Sequence, residues 1–260
     1  MLSYQHIYHA GNMADLHKHA LLAAMLDYLT AKDKPLSYIE THAGRGLYDL
    51  SAPEALKTGE AAEGVLRLGD RLDTAHPYTC VLARIRAAHG PDAYPGSPLI
   101  AAELLRAGDR MTLAELHPRE FAGLRAAMAP YGAQCRQEDG LALALSLTPP
   151  DPRRGLMLID PSYEVKADYA ALPALLRKVH AKWNVGVLAL WYPVLASGAE
   201  RAMVAALDAL GLPKVLRHEL RFPPAREGHG MIGSGMYVVN APFGLAEEAA
   251  RLDAVVATPS

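Results

Sequence analysis

Between residues 110 and 210 the sequence alternates between short apolar runs and longer stretches with helical spacing, and this alternation constrains the fold more than any other feature. Residues 110–115, 133–138, 155–160 and 186–191 have the length and apolar content of strands. Residues 118–128, 140–147, 169–182 and 199–210 read as the helices between them. Strands joined by crossover helices run parallel, so the expected core is a doubly wound α/β sheet. Upstream, residues 36–41 add a strand, preceded by a helix over 15–30 that Asp33-Lys34-Pro35 ends. Downstream, strands over 214–222 and 236–240 flank a loop holding Pro223, Pro224, Gly228, Gly230, Gly233 and Gly235. No helix separates this pair, so it is expected to be antiparallel. The expectation is a mainly parallel seven-stranded sheet ending in an antiparallel hairpin.

The pattern changes over residues 50–94, where 61–72 and 78–89 read as helices and strand signal is sparse. This stretch is expected to be a small helical insertion, with 1–49 and 95–260 forming the core. Ser97-Pro98 reads as a helix start, with Ser as N-cap and Pro in the first helical position. A content of 51% hydrophobic and 21% charged residues suits a soluble, well-cored chain. No apolar run approaches the ~18 residues of a membrane span, and the N-terminus has no basic-then-apolar leader pattern. Cys80 and Cys135 stand alone, which points to a reducing cytoplasm. A net charge of -2 argues against a uniformly basic nucleic-acid binder, so any RNA contact must come from a local patch.

Open α/β sheets bind ligands beyond the carboxyl ends of their strands. Four ends are expected to converge there: Thr41-His42-Ala43-Gly44-Arg45-Gly46, Glu115-Leu116-His117-Pro118, Glu138-Asp139-Gly140 and Asp160-Pro161-Ser162-Tyr163. In a nucleoside cofactor site, Glu115 suits two ribose hydroxyls and Asp139 an adenine amino group, with Gly140 leaving room for the ring. Singly, each has a simpler reading: the glycines as a tight turn, Asp139 as a helix cap, Glu115 as a solvated loop residue. The fourth end is the most specific. An aromatic exocyclic amine is a poor nucleophile because its lone pair is delocalised into the ring. The Asp160 carboxylate and the Pro161 carbonyl could hold both of its N–H groups and turn the lone pair toward a sulfonium-borne methyl group. Tyr163 could stack on the base.

These residues resemble the amino-methyltransferases marked by Asp/Asn-Pro-Pro-Tyr/Phe. More closely, the chain resembles the bacterial 23S rRNA adenine-N6 methyltransferases of the RlmJ type. The likeness rests on Met1-Leu2-Ser3-Tyr4-Gln5-His6, His9-Ala10-Gly11-Asn12, Lys18-His19 and Thr41-His42-Ala43-Gly44. It continues through Tyr94-Pro95-Gly96-Ser97-Pro98, Glu115-Leu116-His117-Pro118, Trp191-Tyr192-Pro193 and Gly233-Ser234-Gly235-Met236. The resemblance implies a Rossmann-like class I methyltransferase fold, S-adenosyl-L-methionine as cofactor, and adenine 2030 of 23S rRNA as substrate. It implies cofactor contacts at His19, His42, Ser97, Glu115, Asp139, Gly140 and Asp160, and places Tyr4, His6 and Lys18 near the target base. This sequence departs from the family at Ser162, where the second proline is expected. The acceptor groups survive, and the loop gains a backbone N–H and freedom in φ.

His6, His9, His17 and His19 are dense enough to suggest a metal, yet their spacing matches no structural zinc pattern and no metal is expected. Basic residues group at Arg84 and Arg86, at Arg153-Arg154, and at Arg217, Arg221 and Arg226. Those of the insertion are the better candidates for phosphate contact, because Arg153-Arg154 opens a strand at the far end of the sheet. A monomer is expected. Competing readings are an adenine-N6 methyltransferase acting on another nucleic acid, the same methyl transfer to a small amine, and a non-catalytic RNA-binding assembly factor, which Ser162 favours. A nicotinamide oxidoreductase is a distant further alternative.

Overall fold

The computed structural model describes residues 4–164, 167–224, 228 and 230–257; Met1 to Ser3 and Arg226 lie outside the described residues. After a 3-10 turn at His6–Tyr8, the chain forms α1 (Met13–Thr30), β1 (Ser37–Glu40) and β2 (Leu47–Asp49). Four helices follow: α2 (Pro53–Thr58), α3 (Glu60–Glu63), α4 (Val65–Leu68) and α5 (Pro77–His89). Then come β3 (Ala93–Pro95), α6 (Ser97–Leu104), β4 (Arg110–Ala114), α7 (Pro118–Met128), β5 (Gln134–Arg136), α8 (Gly140–Ser146) and β6 (Gly155–Ile159). The chain continues through α9 (Ala167–Lys182), β7 (Val187–Leu195), α10 (Arg201–Asp208), β8 (Leu216–Arg221), β9 (Met231–Val239) and α11 (Leu245–Ala257).

Seven strands form one sheet in the order β5-β4-β1-β6-β7-β9-β8. β5, β4, β1, β6 and β7 are parallel, and β9 runs antiparallel to both β7 and β8. This is the expected α/β architecture, with its terminal antiparallel pair. Successive side chains of a strand point to opposite faces, and the core divides accordingly. Leu156 and Leu158 of β6 pack in a cluster with α1, α5, α6 and α11. Met157 and Ile159 join Leu172, Leu176, Val179 and Met203 from α9 and α10 on the other face. Each of these fully buried side chains contributes about 1.5–3 kcal/mol, so both faces of the central strand are fixed. The long α1 is buried nearly all round, and Asn12 caps it by accepting the Asp15 N–H at 2.9 Å. It lies between β9, α5, α6 and α11, which buries Asp15 and Lys18.

Five local features differ from the sequence reading. Gly96 rather than Ser97 is the N-cap of α6, because the Ser97 hydroxyl is committed to Glu40. The helix expected over 61–72 is broken at Gly64, where a Cβ would stand 2.2 Å from the Gly11 carbonyl oxygen. β2 and β3 pair antiparallel, adding a small sheet where little strand was expected. The glycines expected in the terminal loop belong partly to β9: Gly235 pairs with Tyr192, and a Cβ there would meet the Tyr192 ring at 2.2 Å. Helix α11 was not anticipated.

Candidate active site

Beyond the carboxyl ends of β1, β4, β5 and β6 lies a cavity of about 590 Å³. Every residue singled out above as a site residue lines it: Tyr4, His6, Lys18, His19, His42, Ser97, Glu115, Asp139, Gly140, Asp160, Pro161 and Tyr163. The parallel register brings the four ends together. Ile39 stands beside Met157 and Thr112, so the polar residues following each strand emerge at one level.

At one side, the Glu115 carboxylate accepts the Gly44 N–H at 2.9 Å and the His117 N–H at 2.7 Å. Burial pushes its carboxyl above the usual range, opposed by those two bonds. Gly44 needs its left-handed φ of 62°, and a Cβ there would meet the Tyr48 hydroxyl at 2.4 Å. Asp139 caps α8, with Oδ1 accepting the Ala142 N–H at 2.8 Å; a carboxylate retains acceptor capacity beyond one such bond. Gly140 has a different reason to be glycine than the one expected. A Cβ would lie 1.8 Å from the Thr41 carbonyl oxygen, so the close approach of α8 to the end of β1 demands it.

At the centre, Lys18 Nζ donates to Asp160 Oδ2 at 2.6 Å and reaches Asp15 Oδ1 at 3.1 Å. All three side chains are largely buried. Burial pulls the Lys18 ammonium down, but Asp160 and Asp15 outweigh it and raise it above its ordinary value. Burial pushes Asp15 up, while His6, Lys18 and His19 outweigh that and hold its carboxyl well below the usual range. His6 bridges Asp15 Oδ2 at 2.8 Å and the Tyr4 hydroxyl at 2.8 Å. His9 bonds Glu60 at 3.0 Å, and the Tyr4 ring stacks on it. His19 is fully buried with Nδ1 on the Tyr94 hydroxyl at 2.8 Å, and burial pushes it down to about 3. His42 bonds Thr41 Oγ1 at 2.7 Å and is pushed down to about 4 by burial.

The third part of the cavity is aromatic. Tyr163 holds a positive φ of 56°, rare for a bulky side chain. Its hydroxyl donates to the Trp191 carbonyl at 2.7 Å, and its ring lies 4.6 Å from that of Tyr169. Lys18 Nζ sits 5.5 Å from the Trp191 ring centroid.

Asp15 and Trp191 line the cavity and Glu40 lies behind Ser97, and none of them was read as a site residue from the sequence. Asp15 stands three residues before Lys18 on α1, a visible helical spacing. Glu40 is an acid just before the glycine turn, buried and bonded by Ser97 and by the Tyr38 hydroxyl at 2.8 Å. Burial pushes it up to about 8, against those two bonds. Trp191 carried a family likeness but no role. Of the arginine groups, Arg84 is tied to Glu103 at 2.8 Å, Arg217 to Asp208 at 2.6 Å and Arg221 to Glu219 at 3.3 Å. Arg154 bonds the Lys34 carbonyl at 3.1 Å, at the opposite end of the sheet. Among the described residues no group of three or more His, Cys, Asp and Glu is arranged to hold a metal, and no helix is long and apolar enough to cross a membrane.

Comparison with known proteins gives three findings. A family model described as "Ribosomal RNA large subunit methyltransferase D, RlmJ" matches residues 33–258. The chain is 39% identical over 252 residues to "Ribosomal RNA large subunit methyltransferase J" of Escherichia coli (strain K12), covering 95% of this chain and 90% of that protein. It is 40% identical over 250 residues to the protein of the same name from Haemophilus influenzae, covering 94% and 89%. Among solved structures, protein LPL1258 from Legionella pneumophila matches with a TM-score of 0.83 at 36% identity, covering 94% of this chain and 91% of that one.

Proposed function

The chain belongs to the RlmJ family of ribosomal RNA large subunit methyltransferases, and from that premise we propose that it methylates N6 of adenine 2030 in 23S rRNA. The observation that carries this reading is the placement of Asp160, Pro161 and Tyr163 in the same cavity as Glu115 and Asp139. An amine-orienting group and a nucleoside-holding group thus share one space.

The methyl donor is S-adenosyl-L-methionine, and the residues present fit it. The cavity has the size of a drug-sized ligand site, about 590 Å³. Its carboxylates suit both ribose hydroxyls and a cationic sulfur. Glu115 and Asp139 would hold the nucleoside, with His19, His42, Ser97 and Gly140 shaping the rest. When bound, the cofactor supplies an electrophilic methyl group on sulfonium.

The chain's own residues orient the acceptor. Lys18 fixes Asp160 Oδ2, which leaves the other carboxylate oxygen and the Pro161 carbonyl to accept the two N6–H bonds. Held so, the nitrogen rehybridises toward sp3 and its lone pair is withdrawn from the ring's π system and localised on nitrogen. Tyr163, braced by Trp191 and Tyr169, stacks on the base, and Tyr4 and His6 close over it. The target nucleotide is taken out of its stack to reach this depth. Rate comes from orientation and from acceptors aimed at the nitrogen as positive charge develops. Asp160 orients the amine, and the surplus N6 proton is lost to water after transfer.

On this reading residues 50–94 form an insertion on a core of 1–49 and 95–260, and the protein works as a cytoplasmic monomer with 23S rRNA as partner. Incubation with tritiated S-adenosylmethionine and 23S rRNA lacking the modification should give N6-methyladenosine after digestion. DNA or tRNA labelled at an equal rate would overturn the substrate assignment.

A further inference from the structure

A chain of hydrogen bonds leads from the aromatic wall of the cavity to the protein surface. Trp191 Nε1 lies 2.8 Å from Ser234 Oγ. Ser234 Oγ lies 2.9 Å from His17 Nδ1. His17 Nε2 lies 2.9 Å from His218 Nδ1, and His218 Nε2 lies 3.1 Å from Asp253 Oδ2. Strand geometry builds its first step. Trp191 of β7 pairs with Met236 of β9, so Ser234 is its diagonal neighbour on the same face. His17 of α1 then covers that face, one residue before Lys18. Ser234 and His17 are fully buried, while the Asp253 side chain on α11 is 55% exposed.

The two ends, together with the need of the buried serine hydrogen for an acceptor, set the direction of the bonds. An indole N–H only donates and an ionised carboxylate only accepts. Ser234 therefore accepts from Trp191 and gives its hydroxyl hydrogen to His17 Nδ1. His17 carries its proton on Nε2 and donates to His218, which donates from Nε2 to Asp253. Each donor then has one acceptor. Burial, with His218 alongside, pushes His17 down to about 3, in keeping with a neutral ring. A reversed His17 would aim a second donor at Ser234 and leave the serine hydrogen without this acceptor in a dry site.

We propose that His17 and Ser234 are positioning residues that lock the Trp191 indole in the wall of the base pocket through this polarised chain. The proposal rests on the reading of that pocket as the acceptor-base site. Trp191 is where the surroundings of the base meet: its ring faces the Lys18 ammonium, and its carbonyl holds Tyr163. A tilt of the indole would loosen its own contacts with the Lys18 ammonium and with the Tyr163 ring, whose centroid lies 6.0 Å away, and these two groups flank Asp160.

The test reads the indole N–H directly. The chain has two tryptophans, so the spectrum of the nitrogen-15-labelled protein holds two indole cross-peaks, and Trp191→Phe assigns them. Ser234→Ala should move the Trp191 peak upfield and speed its exchange with solvent. His17→Leu, which alters a side chain bonded to Ser234 rather than to Trp191, should move it too. His17→Asn keeps an acceptor near the Nδ1 position and should restore it. The Trp183 peak should stay in place in every variant and so reports an intact fold. Turnover on RNA should fall about fivefold to tenfold in Ser234→Ala and His17→Leu, the factor for one lost neutral hydrogen bond, with S-adenosylmethionine affinity unchanged. An unmoved Trp191 peak in His17→Leu overturns the chain, whether or not the protein methylates RNA. A moved peak with unchanged turnover overturns the positioning role and leaves the proposed function standing. If His17→Leu does not fold, His218→Phe, which breaks the chain beyond His17 and does not touch Trp191, carries the same comparison.

Discussion

The Lys18 ammonium and the Asp160 carboxylate meet at 2.6 Å across 142 residues of sequence, joining the first long helix to the end of the central strand. Both side chains are largely buried, so removing one partner leaves a poorly solvated charge. Lys18→Met should cost about 3–5 kcal/mol of stability. Lys18→Met with Asp160→Asn should recover most of that loss in denaturant titrations. The double variant should still be inactive, because the carboxylate proposed to orient the amine is gone. Recovery of both stability and turnover would separate the pair from the chemistry.

Glu40 gives the folded state a dependence on pH. Its folded pKa, about 8, lies above the ordinary value of a carboxyl in the unfolded chain. The folded state therefore binds the extra proton, and stability falls as pH rises from about 4.5 to about 8 at up to about 1.4 kcal/mol per unit. Glu40→Gln has no proton to lose. Between pH 5.5 and 7.5 the difference in unfolding free energy should move in favour of Glu40→Gln by about 1–3 kcal/mol. Parallel curves for the two proteins would contradict the burial argument.

Asp139 has a capping role and a proposed ligand role that different substitutions separate. Asparagine caps as well as aspartate, so Asp139→Asn should keep its stability within about 0.5 kcal/mol. Asp139→Ala should lose about 1 kcal/mol. Calorimetry should show weaker S-adenosylmethionine binding for both variants, and for Glu115→Gln, by about tenfold per lost charge-assisted bond. Unchanged affinity in all three would remove these residues from the cofactor site.

Gly140→Ala tests the close approach of α8 to β1. The added carbon would fall 1.8 Å from the Thr41 carbonyl oxygen, which is backbone and cannot swing aside. The expected loss is about 3 kcal/mol or more, read as a lowered Tm. A small loss would mean that α8 can shift bodily.

Much of this was legible in the chain. The parallel strands were, because period and length separate them from the helices, and so were the four polar strand ends, because each follows an apolar run. What escaped depends on partners distant in sequence. Ser97 looks like an N-cap until Glu40, 57 residues away, takes its hydroxyl. Gly64 sits inside a helical pattern, and only contact with the Gly11 backbone breaks it. Gly233 and Gly235 read as loop, whereas the Tyr192 ring over Gly235 and the Val194 and Leu220 contacts at Gly233 make them strand. The Lys18–Asp160 pair has no local signature at all. Helix α11 did have one, with Leu245, Ala249, Leu252 and Val256 at helical spacing.

The central claim is that the Asp160 end of β6 directs methylation of one adenine in 23S rRNA. It is tested most directly by mass mapping of 23S rRNA from cells lacking the gene, supplied again with the wild-type protein or with Asp160→Ala. The account predicts N6-methyladenine at position 2030 with the wild type and an unmodified base with Asp160→Ala. Methylation that persists without the gene, or that Asp160→Ala restores in full, would contradict it.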